Sequence, residues 1–199
     1  MSIRALPLAM TATVTAVVSS NASASIKIFS DSGLFQTAAA GLIQSTADLD
    51  VYSGQYSTPL TGTAGAVNWS ANAVGGLTVL SGQLSSTNGA AMRIDLTGAS
   101  VFGISGNFFA SNGGTLVPAL VFVSLNDGTG FANWIDTDSA FLGFLSTASA
   151  ISSIEITSMP VGPGAAAPTV DNLTFAYVPA PGAMAILAVA GMVGARRRR

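Results

Sequence analysis

The sequence predicts an all-β fold, an antiparallel β-sandwich of jelly-roll-like build with one short helix near its start, and three observations predict it. Apolar residues alternate with polar ones at a period of two: Met92, Ile94 and Leu96 flank Arg93 and Asp95, and Ile154 and Ile156 stand among Ser153, Glu155 and Thr157. Such alternation marks strands with one face in a core and the other in water. Short apolar runs are separated by turn chemistry at Asn88-Gly89, Asn112-Gly113-Gly114 and Asn126-Asp127-Gly128, as in hairpin-rich proteins. No fixed repeat runs along the chain, which argues against a β-helix.

Taken in order, Met1 to Ala24 has the three parts of a secretory signal peptide. Arg4 supplies the positive start, Ala5 to Val18 the uncharged apolar stretch, and Ser19 to Ala24 a polar end closing on Ala22-Ser23-Ala24. Small residues at that spacing are what signal peptidase requires, so the expected cut falls between Ala24 and Ser25. The segment Ser30 to Gly41 is expected to form the one helix of the mature chain, with Ser30 as N-cap, Asp31 in the first turn, Leu34, Phe35 and Ala38 on one face and Gly41 just past the end. Besides the two alternating segments, strands are expected at Asp48–Ser53, Ala66–Ala71, Leu77–Leu80, Val101–Phe109, Leu116–Leu125, Ala140–Ser146 and Asn172–Val178. Eight to ten short strands without intervening helices point to a sandwich. The body from 25 to 177 is one domain's worth of chain.

Charge and composition exclude several kinds of function. Between the terminal segments the cations are Lys27 and Arg93, set against nine acids, a formal charge of −7. Affinity for nucleic acid rests on neutralised phosphates and released counterions, so no nucleic-acid partner is expected. The chain has no cysteine and no histidine, which removes thiol nucleophiles, histidine-based triads and Cys/His zinc sites.

The C-terminal segment has three parts: Val178-Pro179-Ala180-Pro181, an uncharged run from Gly182 to Ala195, and the arginines Arg196, Arg197, Arg198 and Arg199. As a helix the run spans about 20 Å, short of the roughly 30 Å hydrocarbon core, so it is a marginal anchor at the inner membrane. The arginines favour the cytoplasmic side and place the preceding chain outside, in agreement with the N-terminal signal. This tripartite segment, 178–199, resembles the PEP-CTERM sorting signal of bacterial exported proteins, in a VPAP variant where Ala180 replaces the usual Glu. The resemblance implies recognition by exosortase, a membrane-embedded cysteine protease, and delivery to the cell surface or extracellular matrix. The later part of the body also resembles the jelly-roll ectodomains found ahead of such signals. The strings that carry this are GISGNFFASN (Gly103–Asn112), VSLNDG (Val123–Gly128), FLGFLS (Phe141–Ser146) and TVDNLTF (Thr169–Phe175).

Several residues qualify as site candidates on chemical grounds. Asp171 and Asn172, joined by Asp31 or Asp127, offer hard oxygen ligands for Ca²⁺ on a sandwich rim, and otherwise serve as turn residues and caps; no other cofactor is expected. Trp69 and Trp134, with Tyr52 and Tyr56, are residues that an extracellular polysaccharide would stack on, and otherwise are core aromatics. Asp48 with Asp50, and Asp136 with Asp138, are carboxylates two apart that a glycosidase could pair, and otherwise are solvated loop acids. The leading expectation is a non-catalytic structural or adhesive surface protein, with an extracellular carbohydrate-binding module as the alternative and a hydrolase as a third.

Overall fold

The computed structural model describes residues 25–112, 115–136, 140–158 and 166–179. The expected signal peptide and most of the expected sorting segment, including the apolar run 182–195 and Arg196 to Arg199, lie outside them. Among the described residues no helix is long and apolar enough to cross a membrane.

The chain runs through β1 (Ile26–Phe29), α1 (Ser32–Ala38), β2 (Ile43–Thr46), β3 (Gly54–Tyr56), β4 (Leu60–Ala64), β5 (Val67–Ala73), β6 (Leu77–Leu80) and β7 (Gln83–Ser86). It continues through β8 (Met92–Gly98), β9 (Ser100–Asn112), β10 (Thr115–Val117), β11 (Ala119–Leu125), β12 (Gly130–Ile135), β13 (Ala140–Ser146), β14 (Ile151–Ser158) and β15 (Ala167–Val178). The strands form two antiparallel sheets. The larger follows the order β1-β13-β9-β15-β7-β6-β3, with β10 beside β9 and β2 beside β15; the smaller follows β12-β11-β14-β8-β5-β4. Buried residues of both meet in one core, with Ile104, Phe108, Phe144, Val170 and Phe175 from the larger sheet against Val67, Ile94, Val121, Ile154 and Ile156 from the smaller. The molecule is therefore the antiparallel β-sandwich that the period-two pattern requires.

Four expected elements take a different form. The helix is shorter than Ser30–Gly41 and is capped by Asp31, whose carboxylate accepts the Leu34 N–H at 2.8 Å. An Asp cap is as favourable as a Ser cap, which moves the start past Ser30. Leu34 and Ala38 are exposed, and the buried positions are Phe35 and Ala39. Asp48–Ser53 is a turn, because the Ala47 N–H bonds to the Leu173 carbonyl and those of Leu49 and Tyr52 bond back to Ala47 and Leu49. The run Leu116–Leu125 is broken at Pro118, and its halves belong to different sheets, β10 pairing with β9 while β11 pairs with β12 and β14. A proline cannot donate to a ladder, and here it marks the crossing between layers. Val178, assigned to the sorting motif, is the last residue of β15 and pairs with Ser100.

The helix packs on the outer face of the larger sheet through one ring. Phe35 meets Phe29 and Phe141 edge to face, with centroids 5.8 and 6.0 Å apart. The strands beneath leave room for it with glycine: a Cβ at Gly143 would come within 2.6 Å of the Phe35 ring, and one at Gly103 within 3.2 Å of it and 2.9 Å of the Ala176 methyl. Replacing Phe35 by Ala should cost about 3–5 kcal/mol as a large-to-small core change, while Leu34→Ala on the same helix stays within about 0.5 kcal/mol. Gly143→Ala should also destabilise, by overpacking. Urea melts of the three variants check the ranking.

Candidate functional site

The two tryptophans fall on opposite sides of the smaller sheet. Val67, Trp69, Ala71 and Ala73 alternate inward along β5, so Trp69 is a core residue with 2% of its surface exposed. Its indole lies over Gly62 of the neighbouring strand, where a Cβ would approach within 2.3 Å. Tyr52 meets it edge on at 5.9 Å, and Tyr56 meets Tyr52 at 6.0 Å. The two tyrosine hydroxyls bond to the Thr61 carbonyl and to the Ser53 backbone. The expectation that Trp69 stacks on a glycan is thus corrected, since a ring sealed in the core presents no face to a ligand.

Trp134, in contrast, is 52% exposed on the edge strand β12, one position before the buried Ile135. It projects from the outer face, opposite Leu120 of β11. The next outward residue of β11, Phe122, is 38% exposed and stands between Ala132 of β12 and Glu155 of β14. Its ring extends over Gly130, where a Cβ would meet it at 2.3 Å, so the absence of a side chain there leaves room for the ring. From Glu155 the same row continues to Arg93 and then Asn72. The Arg93 Nε donates to the Asp95 carboxylate at 2.7 Å, with both side chains about half exposed. The outer face therefore changes across its strands from an aromatic edge to a band of hydrogen-bonding and charged groups. Phe122, Glu155 and Arg93 were not singled out as site residues; the alternation of residues 92 to 96 and 153 to 157 puts Arg93 and Glu155 on the polar side of their strands, whereas the apolar run 119 to 125 carries no such sign for Phe122.

The candidate calcium ligands are not gathered into one set. Asp31 caps the helix. Asp127 lies in the β11–β12 turn, where it accepts the Thr129 hydroxyl at 2.6 Å and the Thr129 N–H at 2.9 Å. Asp171 and Asn172 lie at a bulge in β15, where the register against β9 shifts between Asp171 and Thr174. Asn172 adopts φ +53 there, a left-handed conformation that asparagine tolerates. Its N–H bonds to the Asp171 carboxylate at 2.7 Å, and its amide donates to the Asn107 side chain at 3.3 Å. Asp171 and Asn172 share a shallow cleft of about 280 Å³ with Asp48 and Asp50. Among the described residues no group of three or more acids is arranged to hold a metal ion. Asp136 is exposed just after β12, and Asp138 lies outside the described residues.

At the N-terminal boundary, Ser25 is joined to the body. Its carbonyl accepts the Thr147 N–H at 3.0 Å, and the two hydroxyls are 2.9 Å apart. Strand pairing puts Ile26 level with Ser146, Leu145 with Gly103, and Gly103 with Ala176. Ser25 and Val178 therefore leave the sandwich at the same end. Trp134 is near the other, since β12 enters at Gly130 beside the 126–129 turn and ends at Ile135.

No family model matches the chain, and no curated protein matches it. Among solved structures it is similar to a mutant of a family 29 carbohydrate binding module complexed with mannohexaose, at 10% identity and a TM-score of 0.40, over 62% of this chain and 89% of that one. A second family 29 module aligns at 10% identity and a TM-score of 0.39, over 62% and 86%. Likeness at this level bears on neither ligand nor site.

Two measurements check the placement of these residues. With Trp69→Phe the remaining tryptophan fluorescence should be readily quenched by iodide, and with Trp134→Phe it should be protected. The hydroxyl of Thr129, followed by its N–H, holds the Asp127 carboxyl below the ordinary aspartate value. Thr129→Val should raise that titration toward the ordinary value in an NMR pH series. A lowered carboxyl favours the fold above the ordinary value and loses that effect as pH falls through the lowered one.

Proposed function

We propose that this is an exported, non-catalytic protein of the cell surface or extracellular matrix, structural or adhesive in role and sorted by its C-terminal segment. The observation that carries the reading is the agreement of two targeting signals with the body between them. The signal-peptide cut expected after Ala24 falls immediately before Ser25 and β1, and the sorting motif begins where β15 ends, at Val178. Removal of the first segment leaves every strand whole, and removal of 178–199 takes from the sandwich only Val178, the last residue of β15. Both segments also leave one end of the body, which suits tethering at that end with the rest directed outward.

An extracellular carbohydrate-binding role is the second reading, and Trp134 favours it. A large aromatic half exposed on a sheet face, beside hydrogen-bonding side chains, has the form of a sugar-stacking surface.

Mass spectrometry of both termini in fractionated cells tests the first reading. The surface material is expected to begin at Ser25 and to lack Arg196 to Arg199. Surface material that retains the arginines would overturn it.

A further inference from the structure

Resting on the carbohydrate-binding reading, we propose that the outer face of the smaller sheet binds a neutral polysaccharide of equatorially substituted pyranoses, laid across the strands from Trp134 toward Arg93. The apolar contact surface is the edge itself. Trp134 stands opposite Leu120, two residues along β11 from Phe122, so the two rings project from adjacent strands as diagonal neighbours on the same face, and both are substantially exposed. A pyranose with equatorial hydroxyls presents flat C–H faces, which are the surfaces that stack on such rings; axial substituents hold the sugar off.

The polar part sets direction and charge. From Phe122 the row runs through Glu155 and Arg93 to Asn72, one residue per strand. Strand spacing of about 4.8 Å is close to the advance of one pyranose, so successive sugars meet successive strands. Carboxylate and guanidinium groups accept and donate to the in-plane hydroxyls while the rings hold the faces. Glu155 and Asp95 outnumber Arg93 on this face, Arg93 is already engaged by Asp95, and the body as a whole is strongly acidic. A uronate or sulfated chain is repelled by this field, whereas a neutral one loses nothing.

Affinity electrophoresis of the full chain tests this, in native gels containing hydroxyethyl cellulose, mixed-linkage β-glucan or β-1,4-glucuronan. Retardation is expected in one or both neutral polymers, little changed by salt, and absent in the glucuronan, which keeps the equatorial ring and adds the charge. Trp134→Ala should weaken it at least about tenfold, as truncation of a stacking aromatic does. Phe122→Ala and Glu155→Gln should each weaken it less. Unfolding midpoints for each variant separate loss of binding from loss of fold, and Trp134 is exposed enough for its removal to leave the midpoint unchanged. Retardation by the glucuronan alone, or retardation in neutral polymers that Trp134→Ala leaves intact, would overturn this inference while sparing the carbohydrate reading. Retardation by none of the three would overturn both.

Discussion

The ladder between β9 and β15 is the constraint on which the larger sheet depends. These are the two longest strands, and they pair from Ala167 with Ser111 to Val178 with Ser100. Everything else in that layer hangs from one of them, β10, β13 and beyond it β1 from β9, and β2, β7 and beyond it β6 and β3 from β15. Two register shifts let so long a pair bend with the sandwich. One of them lies where the outer edge of β15 changes partner, from β7 at Val170 to β2 at Thr174. The Leu173 carbonyl released there is taken by the Ala47 N–H at 2.8 Å. A break in hydrogen bonding at the centre of the sheet is thus closed by the turn that follows β2.

Against this frame the two faces of the larger sheet have different tasks. The inner face supplies large side chains to the common core. The outer face carries small ones at Gly103, Gly143 and Ala176, and these make the seat for Phe35. A seven-residue helix has little stability of its own, so it is held by that ring and by the Asp31 cap. The smaller sheet has no such cover among the described residues. Its outer side carries the exposed Trp134 and Phe122.

Much of the fold was legible where burial is one-sided. The alternation in residues 92 to 96 and 153 to 157 identified β8 and β14, and Leu77–Leu80 and Ala140–Ser146 identified β6 and β13. Strands at edges or of few residues escaped, because their burial is too irregular to leave a period. In β12 the pattern ends on one buried residue, Ile135, and in β1 Lys27 interrupts a four-residue strand. The site was half legible. Alternation of Val67, Trp69, Ala71 and Ala73 places Trp69 in the core, and reading the tryptophan alone hid that. Trp134 had no strand to orient it until β12 was seen, and the cross-strand neighbours Leu120, Glu155 and Arg93 depend on register, which composition does not carry.

The shared exit of Ser25 and Val178 also makes the sandwich a candidate for rewiring. Their strands, β1 and β15, are separated by β13 and β9, a gap of roughly 14 Å at the usual strand spacing, which a handful of linking residues spans. Joined in that way, the chain has a natural place to be reopened at Gly128, on a hairpin tip with open space around it. Such a circular permutant would keep every strand pair while presenting its new ends beside Asp127.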